Sequence, residues 1–188
     1  MLEPRDPNTP TERENAMKYS LFTHGTALQI ENMDNVTGFM KVGWGTIITL
    51  APPVIQVVGN NLRVIDDAGP GTWFHLPLTS TTTFESVTPS LDSVTLVFDA
   101  KHCRISNVHV YDGFSKIAEF EEDQVTGGFP RAIKPGSLEL AKPHQVRHGI
   151  WLSFFAGWRS VDVHKDDPDS PFPESVLTFG AAGANFHI

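Results

Sequence analysis

The chain has 188 residues, 40% of them hydrophobic and 19% charged, with 22 acidic side chains against 14 Lys and Arg and a net charge of −8. That is apolar material enough for a real core. It is too acidic, and too poor in clustered Lys and Arg, for nucleic acid or an anionic membrane surface to be the main partner. A single cysteine, Cys103, leaves no intramolecular disulfide, and no run approaches the roughly 20 apolar residues that span a bilayer.

Residues 1–17 are polar, charged and proline-bearing. They contain no apolar stretch of the secretory kind, so they predict a disordered leader and a cytoplasmic location. From residue 18 to 188 the texture is that of one β domain. "SLFTHGTALQIE" carries Gly25 at its centre, as at a bulge or a close backbone approach. "GFMKVGWGTIITL" is rich in β-branched and aromatic residues. In "VIQVVGNNLRVID" two apolar runs flank Gly59-Asn60-Asn61, which predicts a hairpin. "TWFHLPL" is a short strand whose Pro77 suits an edge or a strand end. "DSVTLVFDA" alternates cleanly, with Val94, Leu96 and Phe98 on one side. "SLELAKP" is a further short strand, "GIWLSFFAGW" reads as a central one, and "VLTFGAAGANFHI" closes the chain. About nine strands separated by turn signals, with no helix of ten residues and no repeat, predict an all-β fold. The expected form is a single antiparallel β-sandwich, jelly-roll-like, with a closed β-barrel as the alternative.

The segment "RISNVHVYDGFSKIAEF" holds Asp112-Gly113, a favoured two-residue turn. That turn sets Tyr111 opposite Phe114, His109 opposite Lys116 and Asn107 opposite Ala118. Ile105, Asn107, His109 and Tyr111 then share a face with Lys116, Ala118 and Phe120. Aromatics mixed with Asn, His and Lys are what a ligand-binding sheet face carries, and an ordinary half-exposed face carries them too.

The chemistry leaves little linear signature. The eight histidines match no metal-ligand spacing, and no nucleophile elbow or nucleotide-binding glycine pattern is present. Neither a cofactor nor a transition metal is expected. The acidic run Asp166, Asp167, Asp169 and Glu174 offers calcium ligands without EF-hand spacing, and reads first as a solvated loop. Acid–base chemistry needs only a His, Tyr or carboxylate in a water-poor pocket; its candidates are His24, His75, His109 and Tyr111. Of the tryptophans, Trp44 and Trp151 sit in apolar contexts that predict core. Trp73 and Trp158 border loops and are the candidates, with Asn107, for contact with a ligand.

Several stretches taken together, "HGTALQIE", "KVGWGT", "TWFHLPL", "RISNVHVYDG", "GIWLSFF" and "GAAGANFHI", resemble an uncharacterised family of small bacterial proteins, with "NVHVYDG" and "GWGT" the most specific pieces. The resemblance implies an all-β domain and no reaction. Three functions stay open: a non-enzymatic binding or interaction module for a carbohydrate or other small polar ligand, a small hydrolase, lyase or isomerase using His and Tyr in a pocket between sheets, and a self-assembling structural protein. A homo-oligomer would draw on free strand edges and the apolar C-terminal strand.

Overall fold

A computed structural model describes residues 17–52, 55–58, 61–64, 71–83, 86–121, 125, 136–158 and 174–188. The expected leader up to residue 16 and the acidic residues Asp166, Asp167 and Asp169 lie outside the described residues. The strands, in chain order, are β1 (Lys18–His24), β2 (Gln29–Ile30), β3 (Val36–Val42), β4 (Gly45–Leu50), β5 (Ile55–Val58), β6 (Asn61–Val64), β7 (Thr72–Pro77), β8 (Ser90–Lys101), β9 (Cys103–Asp112), β10 (Ser115–Glu121), β11 (Gly136–Gln145), β12 (Ile150–Trp158) and β13 (Ser175–His187). Among the described residues the only helical turns are short 3₁₀ turns at Gly25–Ala27 and Met33–Asn35.

Two antiparallel sheets face each other. Sheet A runs β11-β8-β13-β4-β3, with β1 beside the second half of β13. Sheet B runs β10-β9-β12-β7-β2, and β5 and β6 form a separate ribbon. The fold is a β-sandwich. The barrel alternative is not built, because each sheet ends on edge strands and the two do not join. The chain passes from one sheet to the other between β1 and β2, β2 and β3, β7 and β8, β8 and β9, β10 and β11, β11 and β12, and β12 and β13, and from β4 to β7 by way of the ribbon, which gives the sandwich its jelly-roll-like course.

Period-two alternation builds the core. From sheet A it takes Leu91, Val94, Leu96, Phe98, Leu177, Phe179, Ala182, Ala184 and Phe186; from sheet B, Phe74, Leu76, Val108, Val110, Leu152, Phe154 and Ala156. Phe154 stacks on Phe74 at 5.2 Å and on Phe179 at 5.1 Å, so its ring joins the two sheets. Such pairs add about 0.5–1.5 kcal/mol each beyond the area they bury. Among the described residues, leucine, isoleucine, valine and phenylalanine side chains fill the space between the sheets, where the enzyme reading expected a histidine pocket. Gly25 makes the expected close approach: a Cβ there would lie 2.4 Å from the carbonyl oxygen of Phe179.

Two expectations about strands change. The turn after β9 is Gly113-Phe114, one residue later than expected, so Tyr111 pairs with Lys116. A bulge at Ile117 then sets Val110 opposite Ala118 and His109 opposite Glu119, not Lys116. A second irregularity, at Ser106, reverses the parity of β9: Ile105 and Phe120 are buried, while Asn107, His109 and Tyr111 stay on the outer face. The apolar C-terminal strand lies at the centre of sheet A, paired with β8 along one side and with β4 and then β1 along the other.

Candidate functional site

The outer face of sheet B gathers most of the candidates. β12 lies between β7 and β9, and its register makes Ser153 the neighbour of both His75 and His109. With Gln29 opposite His75 and Glu119 opposite His109, one row crosses the whole sheet: Gln29, His75, Ser153, His109, Glu119. On one side of it run Trp73, Phe155, Asn107 and Glu121; on the other, Pro77, Trp151, Tyr111 and Lys116. Alternation has put every apolar partner of these residues into the core and left this face to aromatic and polar groups.

The aromatic groups touch. Trp73 lies over His109 at 4.7 Å between centroids, meets Phe155 edge-on at 5.6 Å, and Tyr111 meets His109 edge-on at 6.2 Å. The polar groups form two short chains. Ser153 Oγ is 2.8 Å from His75 Nδ1, and His75 Nε2 is 3.5 Å from a Glu31 oxygen. Tyr111 Oη is 3.5 Å from His109 Nδ1, and His109 Nε2 is 3.1 Å from Glu119 Oε1. A carboxylate only accepts, so the nitrogen facing it carries the proton. In the neutral ring Nδ1 is then the acceptor, and the Ser153 and Tyr111 hydroxyls donate to it. Glu119 also pairs with Lys116 at 2.5 Å. The Lys116 ammonium, and after it His109, hold the Glu119 carboxyl below its usual range, and Glu119 in turn holds the Lys116 ammonium above its own.

The face is anchored at one end by Asp112. Its buried carboxylate accepts from the amides of Arg147, His148 and Gly149 at 2.8–3.0 Å and from His144 Nε2 at 3.0 Å. Burial alone would raise this carboxyl; the His144 bond and the three amides outweigh it and bring the pKa from 3.8 to about 2. The loop so held sits against the β9 turn. Gly113 donates to Gly149 and accepts from the Trp151 indole at 3.0 Å, which sets Trp151 on the face. Gly113 has φ +58°, and a Cβ there would lie 2.9 Å from that of His148.

His75, His109, Tyr111, Trp73 and Asn107 thus come together. Two other candidates do not. His24 is at the end of β1 in sheet A, where Nδ1 bonds Thr26. Trp158, the last residue of β12, is 2% exposed and shares the parity of the buried Leu152 and Phe154, opposite to that of Trp151. The tryptophans expected in the core are the open ones: Trp44 is 46% and Trp151 39% exposed. Sequence reasoning missed Ser153, Glu31, Glu119 and the anchor Asp112. Ser153 is the one hydroxyl inside the apolar run "GIWLSFFAGW", and that was the available signal. Among the described residues no three His, Cys, Asp or Glu side chains gather as metal ligands, and no helix is long and apolar enough to cross a membrane.

The chain belongs to a family of unknown function, DUF6623, whose model matches residues 17–163. Neither the curated proteins nor the solved structures contain a match.

Proposed function

We propose that this member of the family is a ligand-binding module, and that the outer face of sheet B receives a small polar ligand with a flat face, such as a sugar ring. The observation that supports this most is the contact of Trp73 with His109 amid Asn107, Glu119 and Glu31. Aromatic rings offer an apolar surface for ring C–H groups, the carboxylates around them accept from hydroxyls, and the Asn107 amide both accepts and donates. The two carboxylates disfavour an anion. A titration of the isotope-labelled chain with mono- and oligosaccharides, followed by amide shifts, tests this. Shifts should centre on β7, β9 and β12, and Trp73→Ala should weaken binding by about tenfold, while Trp44→Ala leaves it unchanged. Equal binding by the Trp73 variant, or no response of these strands, refutes the reading.

A second reading, acid–base catalysis on the same face, is favoured by one feature: the Ser153–His75–Glu31 chain has the order hydroxyl, imidazole, carboxylate that activates a hydroxyl or relays a proton. It requires that His75→Gln abolish turnover of a bound ligand with its affinity kept. Turnover that survives in His75→Gln removes it.

A further inference from the structure

We infer that sheet A carries a second binding face, on the opposite side of the molecule, for an uncharged, hydroxyl-rich chain such as an oligosaccharide. Its floor is a ladder across β1, β13 and β8. Ser20 donates to Asn185 Oδ1 at 2.5 Å, and the Asn185 amide donates to Ser93 Oγ at 2.8 Å and to Thr95 Oγ1 at 3.4 Å. These are outward-facing positions, since Val94 and Leu96 on β8 and Ala184 and Phe186 on β13 point into the core. Yet Ser93 and Thr95 are only 3% and 4% exposed; the Asn185 amide is bonded to both, and β11 pairs alongside them on β8. The ladder has a fixed polarity. Asn185 spends both its N–H groups on the buried Ser93 and Thr95, so what the ladder turns to a ligand is the oxygen lone pairs of Ser20 and Asn185, which accept from hydroxyls.

The ladder opens into a groove of about 1070 Å³, walled by Glu139 on one side and by Asp92 on another. Asp92 is held by His187 at 2.7 Å, and Glu139 by Ser137 at 2.8 Å. The groove also holds Lys18, so groups of both signs line it. Two residue pairs further along, on the same face and about 7 Å away at strand spacing, the ring of Phe22 lies across Gly183. A Cβ on Gly183 would stand 2.6 Å from the Phe22 ring, so only glycine lets the ring settle there. Phe22 is 51% exposed. A half-open phenyl ring beside a run of hydroxyl and amide groups matches a sugar chain on both counts: the ring takes the C–H face of one unit, and the ladder takes the hydroxyls of the next. An anion would meet Asp92 and Glu139 in a chain of net charge −8.

The test uses the full chain with cellohexaose and maltohexaose at millimolar concentration, read by amide and Asn side-chain NMR shifts. At least one probe should move Phe22, Ser93 and the Asn185 side-chain NH₂. Phe22→Leu, which keeps an apolar cover over Gly183, should weaken that binding about fivefold to tenfold. Asn185→Ala should weaken it further; if that variant unfolds, Ser20→Ala serves as the second probe of the ladder. Trp73→Ala should leave it unchanged. Shifts confined to the sheet B face would overturn this inference and leave the reading of sheet B standing; shifts confined to sheet A would do the reverse. Silence with both sugars, or a Phe22→Leu variant that binds like the parent, overturns it as well.

Discussion

Replacing Asp112 with asparagine should cost the protein a stability that depends on pH in a calculable way. The carboxylate lies 3% exposed and takes four hydrogen bonds. Its pKa falls from 3.8 to about 2 on folding, which at about 1.4 kcal/mol per unit amounts to roughly 2–3 kcal/mol. Because the folded pKa is the lower one, this stabilisation is complete above the unfolded value and is lost as pH falls from about 4 towards about 2. In Asp112→Asn the side chain keeps one acceptor oxygen and turns an NH₂ towards the Arg147 amide, so the loss at neutral pH should match the linkage figure. Urea unfolding of both chains from pH 7 to pH 2 measures it. The wild type should be more stable by about 2–3 kcal/mol at pH 7, equivalent to roughly 5–10 °C in melting temperature, and the gap should close near pH 2. Every other carboxylate is common to the two proteins and cancels. A gap that stays constant with pH would refute the argument, since the carboxylate's charge would then have nothing to do with it. So would the absence of a gap at pH 7.

Phe154→Ala should destabilise by about 3–5 kcal/mol, read by denaturant unfolding, because it empties the ring position that bridges Phe74 and Phe179. Gly113→Ala should cost about 1–3 kcal/mol, combining positive φ with the contact against His148, and should move the Trp151 indole N–H resonance, since its acceptor is the Gly113 carbonyl. Cys103 should resist thiol reagents in the native state at pH 8 and react at once on unfolding. It is buried, and burial first, then the Asp99 charge, push its thiol up to about 12, so almost no thiolate forms.

The strands were legible where alternation is undisturbed. β8 shows Val94, Leu96 and Phe98 in the core as read, and β12 is central, as its apolar run indicated. Pro77 closes β7 where a residue without an N–H fits. What escaped was the irregular residue. One extra position at Ser106 and another at Ile117 reverse the faces of β9 and β10, and a bulge leaves no mark in composition. The same cause hid Glu119 as the partner of His109. The face itself was half legible: His75, His109, Tyr111, Trp73 and Asn107 could be nominated singly, but only the order β9-β12-β7 brings them together, and strand order is a long-range property. Trp151 and Trp158 were assigned to the wrong sides because a continuous apolar run does not say which parity faces inward.

The place of β13 bears on how the protein comes to be made. This strand of 13 residues pairs with β8 along one side and with β4 and then β1 along the other, and Ser20 meets Asn185 across 165 positions of sequence. Until residues 175–187 have left the ribosome, β8 is missing a neighbour and β1 has none. Their main-chain groups stay open to any other extended chain. The sheet therefore assembles after synthesis of this segment and against a large loop-closure entropy, which makes for slow folding and an interval in which chaperones matter. A nonsense mutation before β13 would leave strands with no seam to join them, and aggregation is the expected fate of such a fragment.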